Sequence, residues 1–186
     1  LTMIDVAARR GIEIDTAVFP DALCNDGSRA AIYFRPYRGA ANRNKWVIQL
    51  KGGGGCTDGD SCAARWCACT DGTACPGASA DDYTGFTMEN MQGNGPSARR
   101  ASGIMLRQFN RPNPLADYNQ VRFEYCSSDY WTGTRRDVDL VGRDPITGAA
   151  QGFSMHFLGA RILDADMDTL RRNGVAALTY TLGALP

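Results

Sequence analysis

The segment WVIQLKGGGGC, residues Trp46–Cys56, joins a short apolar run to four consecutive glycines and a cysteine. The run Trp46–Leu50 is rich in aromatic and branched apolar residues, which predicts a buried strand. Glycine loses more backbone entropy on ordering than any other residue, so glycines at 52–55 are costly unless the backbone must come close to a ligand. We therefore predict a strand that ends in a ligand-contacting turn. A flexible loop is the competing interpretation, and spacing alone favours neither.

The neighbouring strands extend this prediction. Ala31–Arg35 reads as a second strand, and we expect it to be the antiparallel neighbour of Trp46–Leu50 across a polar hairpin loop at 36–45. Apolar and polar residues alternate in Gln120–Cys126, which predicts a half-buried strand. The segment Ser127–Gly133 follows the carboxyl end of that strand, where open α/β sheets bind their ligands.

The remaining chain completes an α/β pattern. Residues 1–20 read as a strand or an extended arm, 134–152 as a loop, and 105–109 as a short helix. Apolar residues at helical spacing predict a helix over Ser154–Asn173, with Ser154 as its N-cap. This order of strands and helices predicts the α/β fold class.

Composition excludes several classes of protein. The 186 residues correspond to one domain or to part of a larger one. A net charge of zero argues against a nucleic-acid-binding protein, which normally carries a basic excess. No apolar run approaches the ~20 residues that cross a bilayer, so we expect no membrane span. The first residues lack a signal-peptide pattern, which predicts that any such peptide has been removed.

Cysteine is unusually frequent, with seven residues, five of them between positions 56 and 75. Such density is typical of disulfides formed in an oxidising compartment. A zinc module at 56–75 is the alternative, but the segment has no C-x2-C knuckles and no nearby histidine. We favour disulfides. An odd count leaves at least one cysteine unpaired or paired outside the chain.

Catalytic motifs are incomplete. The G-x-S-x-G elbow of serine hydrolases is absent, and Gly59–Ala63 comes nearest but ends in alanine. His156, the one histidine, is expected at the start of the predicted helix as a capping or solvated residue. The glycine run is not a phosphate loop because Lys51 precedes it. It does suit an oxyanion hole, in which a glycine-rich turn after an early strand offers backbone N–H groups.

Several motifs occur together in a recognisable order. They are LKGGGGC at 50–56 with Cys62 downstream, CNDGS at 24–28, Asn113-Pro114, YCSSD-x-W-x-G at 125–133, and Phe157-x-Gly159. In this order the chain from Ala22 to Pro186 resembles the pectin acetylesterase/Notum family. Members are secreted carboxylesterases with an α/β-hydrolase fold, a three-layer sandwich, and they remove acyl groups from polysaccharides or lipidated proteins.

The resemblance implies roles for particular residues. Gly53 and Gly54 align with the backbone donors of the oxyanion hole. The resemblance also implies two disulfides, Cys56–Cys62 and Cys24–Cys126. The residues expected to contact substrate are Gly55, Tyr130 and Trp131. No cofactor and no metal is implied.

The chain departs from the family pattern in three ways. Lys51 stands where the family usually has Glu, and Gly55 stands where an aromatic residue usually lines the acyl pocket. The family's nucleophile lies in a Gly-x-Ser-Ala-Gly-Gly elbow one strand after the 157–173 helix, and the sequence given stops at Pro186. The catalytic Ser, Asp and His are therefore not present in this chain.

We accordingly expect residues 1–186 to be the N-terminal part of one α/β-hydrolase-like domain, with a Cys/Gly-rich loop insertion at 56–103. The expected function is the oxyanion-hole half of a secreted carboxylesterase, extracellular or periplasmic, that acts on O-acylated polysaccharide or another acyl ester. This half alone is expected to be inactive, and a second chain is a candidate source of the catalytic half. The alternative is a non-catalytic, disulfide-stabilised domain that stacks Tyr130 and Trp131 on carbohydrate. The acyl substrate, the pairing of Cys67, Cys69 and Cys75, and the oligomeric state stay open.

Overall fold

A computed structural model of the chain describes residues 10–52, 54–70, 108–109, 111–143 and 148–172. The strands are β1 (Arg10–Glu13), β2 (Ala31–Arg35), β3 (Trp46–Leu50), β4 (Gln108–Phe109), β5 (Arg111–Pro112), β6 (Asn119–Phe123), β7 (Arg135–Arg143) and β8 (Ala150–Phe157). The helices are α1 (Gly59–Thr70) and α2 (Gly159–Arg172), and a short 3-10 helix spans Ala40–Asn42.

The main sheet has the order β1-β2-β6-β3. β2 pairs antiparallel with β1 and β6, whereas β3 and β6 run parallel, with Ile48 opposite Val121. Because β3 and β6 are parallel, their carboxyl ends at Leu50 and Phe123 meet at one edge of the sheet. The loops that follow these two strands therefore start side by side.

The predicted hairpin between β2 and β3 is wrong, although both strands have the predicted bounds. β6 lies between them and pairs with each. The buried Asn119 at the start of β6 accepts a hydrogen bond from the Tyr37 N–H (3.1 Å), and its side chain donates to the carbonyls of Arg43 (2.9 Å) and Lys45 (3.0 Å). The 36–45 connection is thus held across the end of β6, which a two-strand hairpin would not need.

The core lies between the main sheet and α2. The buried face of α2 repeats at helical spacing through Ile162, Ala165 and Leu170, and it packs on Ile32 and Phe123 of the sheet. These side chains are nearly or fully inaccessible to solvent. Burial of this apolar face, rather than intrinsic propensity, is what stabilises a helix of this length.

Two predictions in the second half of the chain are wrong. The predicted loop at 134–152 is largely the hairpin β7–β8, with Leu140 opposite Phe153. The predicted N-cap Ser154 lies within β8, so the helix begins later, at Gly159. The ladder with β7 engages residues 150–157 as a strand before the helix can start.

The predicted 56–103 loop is also wrong over its first part, because α1 occupies Gly59–Thr70. Asp58 and Ser61 form a reciprocal cap: the Ser61 N–H donates to Asp58 Oδ1 (2.7 Å) and the Asp58 N–H donates to Ser61 Oγ (3.1 Å). A side chain at Gly59 would place its Cβ 1.9 Å from the Val141 carbonyl oxygen, so glycine lets α1 lie against β7. Residues 71–103 lie outside the described part of the chain.

Other expectations fall partly or wholly outside the described residues. The end of the predicted 105–109 helix is wrong, because Gln108 and Phe109 form β4. Residues 105–107 lie outside the described part of the chain. Of the predicted N-terminal arm, the structure shows β1 and the residues after it. None of the helices in the described ranges is both long and apolar enough to cross a membrane.

The two disulfides expected from the family resemblance are confirmed: Cys24 is bonded to Cys126, and Cys56 to Cys62. Because Cys56 and Cys62 are bonded to each other, they are not ligands of a zinc module. Within the described ranges, no cluster of three or more His, Cys, Asp or Glu is arranged to hold a metal ion. Cys75 lies outside the described residues.

Candidate functional site

Two loops meet at the carboxyl edge shared by β3 and β6. The glycine loop comprises residues 52–55, of which Gly53 lies outside the described residues, and the serine loop comprises residues 127–133. The indole N–H of Trp131 donates to the Lys51 carbonyl (3.2 Å), and the Cys56 N–H donates to the Ser128 carbonyl (3.1 Å). The serine loop thus contacts the glycine loop just before its first residue and just after its last.

Helix α1 fixes the backbone of the glycine loop. Gly54 has φ +68°, a left-handed conformation that glycine adopts without steric cost. Its carbonyl accepts a hydrogen bond from Arg65 Nη2 (3.0 Å), while Arg65 Nε donates to Ser128 Oγ (3.1 Å). The Cys56–Cys62 disulfide holds the end of the loop one helical turn before Arg65. One guanidinium therefore links both loops to α1.

The serine loop has an unusual backbone. Ser128, Tyr130 and Trp131 have φ values of +52°, +57° and +67°, a region that non-glycine residues rarely occupy. Asp129 holds this shape by accepting four hydrogen bonds, from Ser127 Oγ (2.6 Å) and the N–H groups of Trp131 (3.0 Å), Gly133 (3.1 Å) and Gly159 (2.7 Å). Strained backbone of this kind persists where surrounding contacts over-determine it, and it clusters at functional sites.

The buried side chain of Asn25 anchors the serine loop through hydrogen bonds. Its side chain is buried, accepts from Ser128 Oγ (2.6 Å) and donates to the carbonyls of Ser127 (2.9 Å) and His156 (2.7 Å). Its backbone N–H donates to the carbonyl of Cys126 (2.8 Å). The CNDGS motif thus supplies a structural contact for the serine loop as well as a turn.

His156, Ser61 and Ser154 all lie in structural positions. His156 belongs to β8 and not to a helix, and its Nδ1 accepts from the Asp137 N–H (3.1 Å), so the expectation of a capping or solvated histidine is wrong. Ser61 caps α1, and Ser154 is exposed on β8.

The two predicted aromatic residues differ in exposure. The Tyr130 ring is 64% exposed, whereas Trp131 is half-buried with its ring centroid 5.3 Å from that of Tyr125. The Tyr130 N–H donates to the Tyr125 hydroxyl (2.6 Å). Burial raises the pKa of Tyr125 to about 12, so its phenol stays neutral and keeps this contact at physiological pH.

Buried charge lies below the glycine loop. Lys51 Nζ lies 3.1 Å from one carboxylate oxygen of Glu124, and Arg122 Nε lies 2.8 Å from the other. The Glu124 side chain is fully buried, and neither contact has hydrogen-bond angles. Asp166 of α2 is also fully buried, and its burial together with the charge of Glu124 holds its pKa well above the usual range. Lys51, the departure from the family pattern, thus has an acidic partner.

Sequence comparison identifies the family. Residues 10–182 match the sequence model of the family described as pectinacetylesterase. The chain belongs to this family. The chain is 33% identical over 141 residues to the palmitoleoyl-protein carboxylesterase NOTUM of Drosophila melanogaster, covering 75% of the chain and 17% of that protein. It is 26% identical over 166 residues to pectin acetylesterase 11 of Arabidopsis thaliana, covering 88% of the chain and 34% of that protein.

Structural comparison agrees. The chain superimposes on the crystal structure of the Wnt deacylase Notum from Drosophila with a TM-score of 0.62 and 27% sequence identity. The match covers 90% of this chain and 39% of that one. The predicted α/β-hydrolase-like fold is therefore confirmed. The chain spans well under half the length of these relatives.

The structure brings together most of the residues predicted for the site. Gly55 lies against Tyr130, Trp131 donates to the carbonyl of Lys51 just before the glycine loop, and the Gly54 carbonyl is held by Arg65. Gly53 is outside the described residues. Sequence reasoning missed the three polar residues that hold the loops, which are Asn25, Arg65 and Asp129. The S-S-D-x-W-x-G spacing carries a signal for Asp129, because short-range carboxylate contacts to following N–H groups are typical of such turns. Arg65 has no comparable local signal.

Proposed function

We propose that this chain supplies the oxyanion-hole part of a carboxylesterase that removes acyl groups from O-acylated polysaccharide or a similar ester. The backbone N–H groups of Gly53 and Gly54 are the proposed donors. The observation that carries the proposal is the position of Gly54: left-handed backbone, held by Arg65, at the carboxyl edge of the parallel pair β3–β6. Ligands bind at this edge in open α/β sheets.

The proposed chemistry is hydrolysis of an ester through a tetrahedral intermediate. The nucleophilic serine, with its histidine and aspartate, comes from residues outside this chain. As the serine oxygen attacks the acyl carbon, negative charge develops on the carbonyl oxygen, and the two N–H groups stabilise it. Loss of one such donor typically costs about 3–4 kcal/mol of transition-state stabilisation.

Arg65 fixes the conformation of the glycine loop in the absence of substrate. Because its guanidinium holds the Gly54 carbonyl, the loop needs little reorganisation when the charge develops. We place the protein outside the cell or in a periplasm, because the two disulfides of this chain are stable in oxidising compartments.

An activity assay tests the proposal. The 186-residue chain alone should not hydrolyse p-nitrophenyl acetate. The chain extended by whatever coding sequence follows the Pro186 codon should hydrolyse it, and replacing the serine of a downstream G-x-S-x-G by alanine should abolish the activity. Hydrolysis by the 186-residue chain that is lost in Ser61→Ala or Ser154→Ala would contradict the proposal.

Glycine variants test the oxyanion role in the active protein. Gly54→Ala should lower kcat by about tenfold and leave KM nearly unchanged, because an alanine at φ +68° strains the donor loop. Gly148→Ala is the control for left-handed strain away from the site, with φ +70° and nothing within 4 Å of an added Cβ. This control should retain kcat.

The exposed ring of Tyr130 favours a second candidate, a non-catalytic carbohydrate-binding domain. In that case the 186-residue chain should bind acetylated pectin oligosaccharides in calorimetric titrations, and Tyr130→Ala should abolish binding. Binding by the chain, combined with no esterase activity in any extended form, would replace the esterase proposal.

A further inference from the structure

A network of three side chains, those of Arg65, Ser128 and Asn25, connects the glycine loop to the interior of the molecule. Arg65 Nη2 donates to the Gly54 carbonyl (3.0 Å), and Arg65 Nε donates to Ser128 Oγ (3.1 Å). Ser128 Oγ in turn donates to Asn25 Oδ1 (2.6 Å). The three side chains come from α1, from the serine loop and from the CNDGS motif, so the network exists only in the folded chain.

The direction of every hydrogen bond in this network is fixed by chemistry. A guanidinium only donates, so Ser128 Oγ must accept from Arg65, and its single O–H proton must go to Asn25. The two hydrogens of Asn25 Nδ2 are taken by the carbonyls of Ser127 (2.9 Å) and His156 (2.7 Å), which directs Oδ1 towards Ser128. Asn25 and Ser128 are 2% and 1% exposed, so water does not compete for these groups. The network therefore has one arrangement.

The Ser128 hydroxyl is not placed to act as a nucleophile. A catalytic serine passes its proton to an adjacent base, whereas the Ser128 proton goes to an amide oxygen. The side chain is also buried. Its hydroxyl is instead the acceptor that orients the Arg65 guanidinium.

The glycine loop depends on contacts of this kind for its shape. Glycine has no Cβ and populates many backbone conformations, so four successive glycines do not define a loop by steric restriction. Arg65 restricts the loop by holding the carbonyl of Gly54, which has φ +68°. The donors of a guanidinium have fixed relative directions, so the bond to Ser128 sets the direction of the bond to Gly54.

We infer that Ser128 is a positioning residue for catalysis: its hydroxyl, oriented by Asn25, aligns Arg65 and through it the Gly54 backbone. This inference rests on the proposed function, because it takes the Gly54 N–H as a donor to the developing oxyanion. Ser128 acts through Arg65 and does not contact substrate. Loss of its hydroxyl should therefore weaken stabilisation of the transition state and leave substrate binding nearly unchanged.

The variant Ser128→Gly tests the inference in the active, extended protein. Glycine adopts φ +52° without steric cost, so this change removes the hydroxyl and keeps the backbone of the serine loop. We expect kcat for p-nitrophenyl acetate to fall by about tenfold at nearly constant KM, since misdirecting one donor costs less than the roughly 100-fold loss on removing it. Ser128→Ala, which keeps a Cβ, should show the same fall. Asp137→Gly is the matched control, because Asp137 has φ +51° on β7, outside both loops, and it should keep both wild-type constants.

A double-mutant cycle separates positioning from a general loss of structure. Arg65→Met removes the guanidinium and should lower kcat by about tenfold or more. In the Arg65→Met background, Ser128→Gly should change kcat by less than about twofold, because residues that act through one network are not additive. A further tenfold fall in that background, or an unchanged kcat in Ser128→Gly alone, would overturn the inference and leave the esterase proposal intact. Absence of hydrolysis by the wild-type extended protein would instead overturn the proposed function and the positioning role with it.

Discussion

Two aspartates beside helix α2 have opposite environments. Asp129 lies at the N-terminal end of the helix and accepts four hydrogen bonds, one of them from the N–H of Gly159. Asp166 lies within the helix, is fully buried, and has no hydrogen-bond partner for either oxygen among the described residues. The Asp129 carboxylate is placed where a helix N-terminus favours negative charge. At Asp166, burial and the nearby charge of Glu124 disfavour a negative charge on the carboxyl group.

The difference shows which of the two carboxyl groups supports the site. Asp129 fixes the strained serine loop, because its two oxygens satisfy four donors that would otherwise be left without partners. Asp166 contributes no such contact, and its buried carboxyl costs free energy that the rest of the core must offset. The first carboxylate supports the candidate site, and the second reduces stability.

Removing the Asp129 carboxylate should have the largest effect. Asp129→Ala should lower the free energy of unfolding by about 3–5 kcal/mol, because it removes the acceptor of four hydrogen bonds at once, two of them from the buried residues Ser127 and Gly159. Urea denaturation followed by circular dichroism measures this loss. Asp129→Asn, which keeps one acceptor oxygen, should lose less. A loss below ~1 kcal/mol in Asp129→Ala would remove the contrast between the two aspartates.

The ion pair below the glycine loop should come next. Lys51→Met should lower the free energy of unfolding by about 2–3 kcal/mol, because it leaves the buried Glu124 with Arg122 alone. Adding Asp166→Asn to Lys51→Met should recover part of the loss, since a neutral amide no longer repels Glu124. Purely additive effects of the two changes in urea denaturation would show that Asp166 and Glu124 do not interact.

The Asp166 carboxyl should respond in the opposite direction. Asp166→Asn should raise the free energy of unfolding by about 1–2 kcal/mol at pH 7.5, because the amide cannot ionise. Burial raises the pKa of Asp166 above 3.8 in the folded chain. The protonated carboxyl therefore makes its full contribution to the free energy of unfolding below pH 3.8, and this contribution is lost as the pH rises through the folded pKa. The gain from Asp166→Asn should therefore shrink to near zero by pH 3.5. A gain independent of pH would contradict the assigned cause.

The half-buried carboxylate of Asp168 should show the smallest effect. Asp168 forms an ion pair with Arg172 one helical turn away, on the solvent side of α2. Asp168→Asn should lower the free energy of unfolding by about 0.3–0.5 kcal/mol, and 1 M NaCl should abolish the difference. A loss as large as that of Asp129→Ala would show that hydrogen-bond number does not rank these carboxylates.

Strands were predicted well where the apolar residues that mark them are buried in the structure. The bounds of β2 and β3 are those expected, and the strand predicted at Gln120–Cys126 appears as β6. The hairpin β7–β8 was missed although Val138 and Leu140 alternate with acidic residues, because most of β7 is exposed and its pattern is weak. The start of α2 was placed too early because apolar residues of β8 happen to continue the helical spacing.

The order of strands could not be read from local pattern. Nothing in residues 31–50 indicates that β6, about seventy residues later, separates β2 from β3. The pairing depends on contacts such as those of Asn119, which join segments far apart in the chain. The disulfide partners came from family resemblance, and the structure confirmed them.

By itself, the sequence determined the α/β class, the two central strands and the glycine loop. Those features depend on propensity and on spacing between residues that lie close together in the chain. Only the tertiary structure decided that the glycine loop meets the serine loop, that Tyr130 occupies the space over Gly55, and that Asp166 is buried beside Glu124. Each of these contacts joins residues more than forty positions apart, so it exists only after β3, β6 and α2 have packed together.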